Sequence, residues 1–101
     1  ERNMTKRLKI EKGSGNVFFD VGFPPGEAQN LLMRAELMLS IEQFVRKSGM
    51  TQKDAARALG VTQPRLNLLL KRRIELFSLD ALVNMATRAG MKVKLTVKKA
   101  A

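Results

Sequence analysis

Residues 51–73 read TQKDAARALGVTQPRLNLLLKRR, and this stretch decides the fold. It divides into two short helices around one sharp turn. Thr51 carries the hydroxyl that caps a helix N-terminus, and Asp54, three residues on, is the short partner of a capping box. Ala55, Ala56 and Leu59 give the first helix its buried side. Gly60 then interrupts, and a residue without a Cβ takes the left-handed conformation that a tight corner between helices needs. Thr62 is the next N-cap. Pro64 falls in the first turn of the second helix, where a missing N–H costs little. Leu66, Leu69 and Leu70 continue the apolar side.

Spacing carries more than composition here. A small residue at Ala56 lets two helices cross closely, Gly60 turns the corner, and Leu66 and Leu69 anchor the second helix to a core. Those are the physical demands of a helix-turn-helix, whose second helix enters the DNA major groove. A plain helical hairpin in an all-α core is the other reading of the same residues, and charge argues against it. The chain carries a formal net charge of +10. Residues 46–73 hold eight basic side chains and one acid, whereas residues 16–45 hold one base and four acids. The basic excess coincides with the two-helix stretch, and a polyanion is the natural partner of such a patch. A merely solvated basic surface is the bland alternative.

At 101 residues the chain is one domain. It has no cysteine, so neither a disulfide framework nor a thiolate metal site is expected. It has no histidine, which removes the commonest general base and metal ligand together. The acids are scattered, and no nucleotide-binding glycine motif or nucleophile–base pair stands out. The expectation is a protein that is no enzyme and uses no cofactor or metal. No run of 18 apolar residues is present, so no membrane partner is expected. No signal peptide is recognisable, and a cytoplasmic location is the default.

The predicted fold class is mainly α: a compact helical bundle with a helix-turn-helix, plus a C-terminal β-strand and a short N-terminal one. Residues 1–23 form an N-terminal arm, 24–90 the helix-turn-helix domain, and 91–101 the C-terminal strand and tail. In the arm, Leu8 and Ile10 suggest a brief strand, and Gly13-Ser14-Gly15 a flexible break. Residues 16–23 alternate, with Val17, Phe19, Val21 and Phe23 on one side and Phe18 on the other, which predicts a strand or extended segment. Its apolar side either folds back on the domain or meets a partner protein.

Pro24-Pro25-Gly26 starts a helix whose apolar stripe, from Ala28 through Leu31, Met38 and Ile41 to Val45, reaches Ser48. One long helix and two pieces are both compatible with it. After Arg73, Ile74, Leu76 and Phe77 fold under a connector. Ser78 caps a further amphipathic helix, with Asp80 at its positive end and Gly90 beyond it. Residues 92–98 alternate cleanly, with Val93, Leu95 and Val97 inward and Lys92, Lys94, Thr96 and Lys98 outward. A lone strand cannot satisfy its own backbone. Two copies pairing antiparallel about a two-fold axis would satisfy it and make a homodimer. Pairing with residues 8–10 or 17–23 of the same chain is the rival.

The Thr51-Gln52 opening, the Ala55-Ala56 pair, the Leu59-Gly60-Val61 turn and the Thr62-Gln63 start together resemble the Cro and phage-repressor (Xre) helix-turn-helix family. Over residues 18–90 the chain is similar to small Xre proteins known as HigA-type antitoxins or stand-alone regulators. Gly22-Phe23-Pro24, Leu76-Phe77-Ser78-Leu79-Asp80 and Leu82-Val83-Asn84-Met85 carry that closer match. The resemblance implies a DNA-binding repressor that is the antitoxin of a toxin–antitoxin pair, with a RelE-like toxin as partner. A regulator without a toxin, and a protein-interaction or RNA-binding domain with the helix-turn-helix as scaffold, are the alternatives.

In a helix-turn-helix the first turns of the second helix point into the groove. Gln63, Pro64 and Asn67 then face base edges with Arg65 beside them. Gln and Asn pair bidentately with adenine and Arg with guanine, and Leu68 would touch a thymine methyl. Gln52 matches the family glutamine that binds a phosphate. Lys53, Arg57, Thr62, Lys71, Arg72 and Arg73 are the further phosphate candidates. One such unit makes too few base contacts for a unique site, so a dimer on a palindromic double-stranded operator is expected, with half-sites about 34 Å apart.

Overall fold

The structure is a computed structural model that describes residues 16–99. The suggested strand at Leu8 and Ile10 and the Gly13-Ser14-Gly15 break lie outside these residues. Among the described residues the chain forms α1 (Val17–Asp20), α2 (Pro25–Ser48), α3 (Gln52–Leu59), α4 (Gln63–Leu70) and α5 (Leu79–Arg88). A 3₁₀ turn, Ile74–Leu76, joins α4 to α5.

The N-terminal alternation predicts a strand or extended segment, and the structure corrects this to a single helical turn. The Asn16 Oδ1 accepts from the backbone N–H of Phe18 at 2.9 Å and of Phe19 at 3.3 Å, which caps the turn. The Gly22 and Phe23 amides donate back to Phe19 O and Phe18 O and close it. Phe18 is half-buried and meets Phe23 edge to face at 6.1 Å between centroids, while Val17, Phe19 and Val21 are exposed. Seven alternating residues resemble a strand only until a cap and a glycine close them locally.

The long apolar stripe is one helix. Between Gly26 and Gly49 the sequence has no proline or glycine to break it. At 24 residues α2 spans about 36 Å. It starts with Pro25 at its first position and stops at Gly49. Met38, Ile41 and Val45 of α2 meet Ala55, Ala56 and Leu59 of α3, Leu66 and Leu69 of α4, and Leu82, Met85 and Ala86 of α5 in one core. Phe77 is the largest side chain fully buried in it. Burying such a ring stabilises the fold by roughly 1.5–3 kcal/mol. Phe18 also lines a mostly apolar groove of about 270 Å³ with Ala35, Met38, Leu39, Glu42, Arg72 and Ile74.

No strand is present among the described residues, so the expected C-terminal strand is not formed within the chain. The Met91 amide donates to Ala86 O at 2.9 Å and finishes α5, after which residues 92–99 take no regular structure. The physical reason is the missing neighbour: residues 17–20, one rival partner, are helical. Leu95 is 76% and Val97 83% exposed, so neither α2 nor α5 covers the tail's apolar side.

Candidate nucleic-acid interface

The site is built from the caps inward. Thr51 Oγ1 accepts from the Asp54 amide at 3.1 Å and starts α3, leaving Gln52 and Lys53 exposed in its first turn. Such a turn presents free N–H groups and the positive end of the helix dipole. Arg57 is exposed one turn further along the same ridge.

Gly60 makes the corner with φ +76°. Its amide and that of Val61 bond back to Arg57 O and Ala56 O at 3.1 and 2.9 Å. The Arg88 side chain, from the end of α5, lies where a Cβ at position 60 would stand. Backbone conformation and packing therefore both require glycine there.

Thr62 Oγ1 accepts from the Arg65 amide at 3.2 Å and starts α4, with Pro64 inside its first turn. Leu66 and Leu69 are fully buried. That orientation leaves Gln63, Pro64 and Asn67 exposed, and Lys71, just past the helix, is exposed too. Gln63, Asn67 and Lys71 follow one another at four-residue steps and so form one polar ridge along α4. Two amides able to read adenine edges and one terminal cation thus share a line.

The other candidates are engaged in the fold. Arg65 is half-buried, its guanidinium carbon is 4.1 Å from the Phe77 ring centroid, and its Nη2 donates to Leu76 O at 3.0 Å. Leu68 is half-buried against the core. Arg73 Nε donates to Glu75 Oε2 at 2.7 Å. The Glu75 carboxyl is held below the usual carboxylate range, first by its own backbone N–H and then by Arg73. Arg72 Nε and Nη2 donate to the two oxygens of Glu42 at 3.3 and 3.4 Å.

The family described as helix-turn-helix domain matches residues 17–98, about four-fifths of the sequence. The chain belongs to the helix-turn-helix domain family. No curated protein matches its sequence. The span matched by the helix-turn-helix domain family runs from α1 to the tail and includes α3, the Gly60 corner and α4. No helix among the described residues is long and apolar enough to cross a membrane.

Three residues of the helix-turn-helix domain escape sequence reasoning. Glu42 is the buried charged residue of α2, and its Oε2 also accepts from Arg46 Nη2 at 2.7 Å. Burial pushes its carboxyl up, but the hydrogen bonds and charges of Arg46 and Arg72 outweigh this and hold it below the usual carboxylate range. Arg34, also on α2, donates through Nη1 to Ile74 O at 3.3 Å and Phe77 O at 3.1 Å. Together with Arg65 it clamps the connector from both sides. Arg88 completes the corner at Gly60. Two pairs on α2 carry a local signal, Glu42–Arg46 and Asn30–Arg34, each at four-residue spacing on the helix.

Proposed function

We propose that this helix-turn-helix domain is a sequence-specific DNA-binding transcriptional repressor acting as a homodimer, and the antitoxin of a toxin–antitoxin pair. The observation that carries the DNA reading is the ridge of Gln63, Asn67 and Lys71, exposed opposite the buried Leu66 and Leu69 on the capped second helix. In the groove, Gln63 and Asn67 read adenine edges, and Pro64 packs on a neighbouring base edge. Gln52, Lys53, Arg57 and Lys71 neutralise phosphates and set the register. Arg65 and Leu68 support the ridge from behind. The protein acts by binding, with no catalytic step, on cytoplasmic DNA.

Two further features support the finer parts of the reading. The exposed alternation of Val93, Leu95 and Val97 with lysines suits antiparallel pairing between two copies. The exposed Val17 and Phe19 of α1 and Val21 just after it offer an apolar surface to a protein partner such as a RelE-like toxin.

Fluorescence anisotropy with labelled DNA tests the first claim. The DNA upstream of the protein's own gene should bind at least about 10³-fold tighter than random duplex at physiological salt. Equal binding to both would leave only an electrostatic scaffold. Growth arrest by the product of the adjacent open reading frame, relieved by co-expression of this chain, tests the antitoxin role.

A further inference from the structure

Each of the five α-helices among the described residues is followed by a residue with positive φ. Four of these are glycines, Gly22, Gly49, Gly60 and Gly90; the one after α4 is Arg72, at φ +61°. An L side chain in that conformation is strained, and glycine would adopt it freely. The hydrogen bonds around it are those of an ordinary helix end: the Arg72 amide donates to Leu69 O at 2.9 Å and the Arg73 amide to Leu68 O at 3.1 Å. Nothing in the backbone therefore asks for arginine. The side chain does: it reaches back to Glu42, 30 residues earlier on α2.

The geometry of that contact is specific. Glu42 Oε2 is already held by Arg46 from the same helix, at 2.7 Å. Arg72 Nε takes the other oxygen, at 3.3 Å. The carboxylate is almost fully buried in the lining of the mostly apolar groove that Phe18 shares, while both guanidinium groups stay largely in solvent. A buried carboxylate needs its partners more than an exposed arginine needs its own. The contact therefore draws the turn after α4 down onto α2.

We infer that Arg72 is a positioning residue that latches the C-terminal end of the recognition helix to α2 through Glu42, rather than a phosphate contact. The latch fixes the last turn of α4, and with it Lys71 and the line of the Gln63–Asn67–Lys71 ridge. In this left-handed position arginine supplies both the turn and the tether. The inference builds on the DNA-binding reading only where DNA affinity is measured.

The test compares the wild type with Arg72→Gly, Glu42→Gln and the double variant. Glycine keeps the turn and relieves its strain, so the variant folds, and Glu42→Gln leaves the backbone of the turn untouched. The first readout needs no DNA: hydrogen-exchange protection of the Lys71 and Arg73 amides, which close α4. Each single variant should lower it about tenfold, and the double variant no further, since the two residues act as one unit. The second readout is affinity for upstream duplex across a salt series. Affinity should fall by a similar factor with the slope against log salt unchanged, and again not additively. Additive losses, or unchanged protection with a slope reduced by about one, would overturn the latch and return Arg72 to the phosphate contacts. If the wild type bound no duplex, the DNA reading would fail while the exchange data still decided the latch.

Discussion

The Arg65 guanidinium carbon lies 4.1 Å from the centroid of the Phe77 ring, and its Nη2 holds Leu76 O at 3.0 Å. The third residue of α4 is thus fastened to the connector that leads into α5. A cation over a partly desolvated ring contributes about 0.5–2 kcal/mol, and a charge-assisted hydrogen bond somewhat more. Arg65→Ala should destabilise the fold by roughly 1–3 kcal/mol in urea titrations, at unchanged m-value. If the side chain supports α4 rather than reading a base, as proposed, operator and random DNA should be weakened alike. A selective loss of operator binding at wild-type stability would make Arg65 a base reader after all.

The ridge on α4 separates its members by role. Gln63→Ala and Asn67→Ala should each remove about 1–3 kcal/mol of discrimination between operator and random duplex. Lys71→Ala should weaken both kinds of DNA together and lower the salt slope by about one. Titrations across the 50–200 mM range, where a dimer neutralising roughly six to ten phosphates loses about 10³–10⁵ in affinity, resolve the three variants. An unchanged specificity ratio in the first two would mean that α4 presents a different face to the groove.

Glu42 predicts a pH dependence with a definite sign. Its carboxyl is held below the usual range in the folded state, despite burial, by Arg46 and Arg72. Folding is therefore favoured by its ionised form above the unfolded value of about 4.3, and that contribution is lost as pH falls through the lower folded value. Unfolding free energies from urea titrations between pH 7 and pH 3 should drop over this window. Glu42→Gln should be less stable at pH 7 and should flatten the drop. An equally steep drop in the variant would assign the acid lability to other carboxylates.

What was legible in the sequence was local. Thr51, Thr62 and Ser78 accept the amides of Asp54, Arg65 and Ala81, as capping residues at those spacings do, and Gly60 turns the corner. Leu66 and Leu69 fix the rotation of α4, so Gln63 and Asn67 face outward as their positions suggest. Arg65 and Arg72 were legible only as cations, because the partners that occupy them, Phe77 and Glu42, lie 12 and 30 residues away and meet them only in the folded chain. Alternation misleads at residues 17–23 for a related reason. Period two describes which side chains share a side, and it becomes a strand only where a neighbour supplies hydrogen bonds, whereas Asn16 supplies a cap instead.

The same reasoning gives the tail its prediction. Residues 92–98 have the alternation of a strand and no strand beside them among the described residues. Leu95 and Val97 expose most of their surface, with Lys94, Thr96 and Lys98 on the alternate positions. A second copy brings an identical edge, and antiparallel pairing about a two-fold axis would satisfy both backbones and bury both sets of apolar side chains. The outward lysines would then discourage pairing with a third chain. The decisive variant ends at Met91, because Met91 closes α5 through its amide bond to Ala86 O and must stay. That chain should sediment as a monomer, keep the helical content of the full-length protein, and lose cooperative binding to a palindromic site. Leu95→Asp in the full-length chain should do the same by placing a charge in the shared apolar face. If both variants remain dimeric, the two copies meet elsewhere, and the exposed Val17 and Phe19 of α1, with Val21 just after it, become the surface to mutate next.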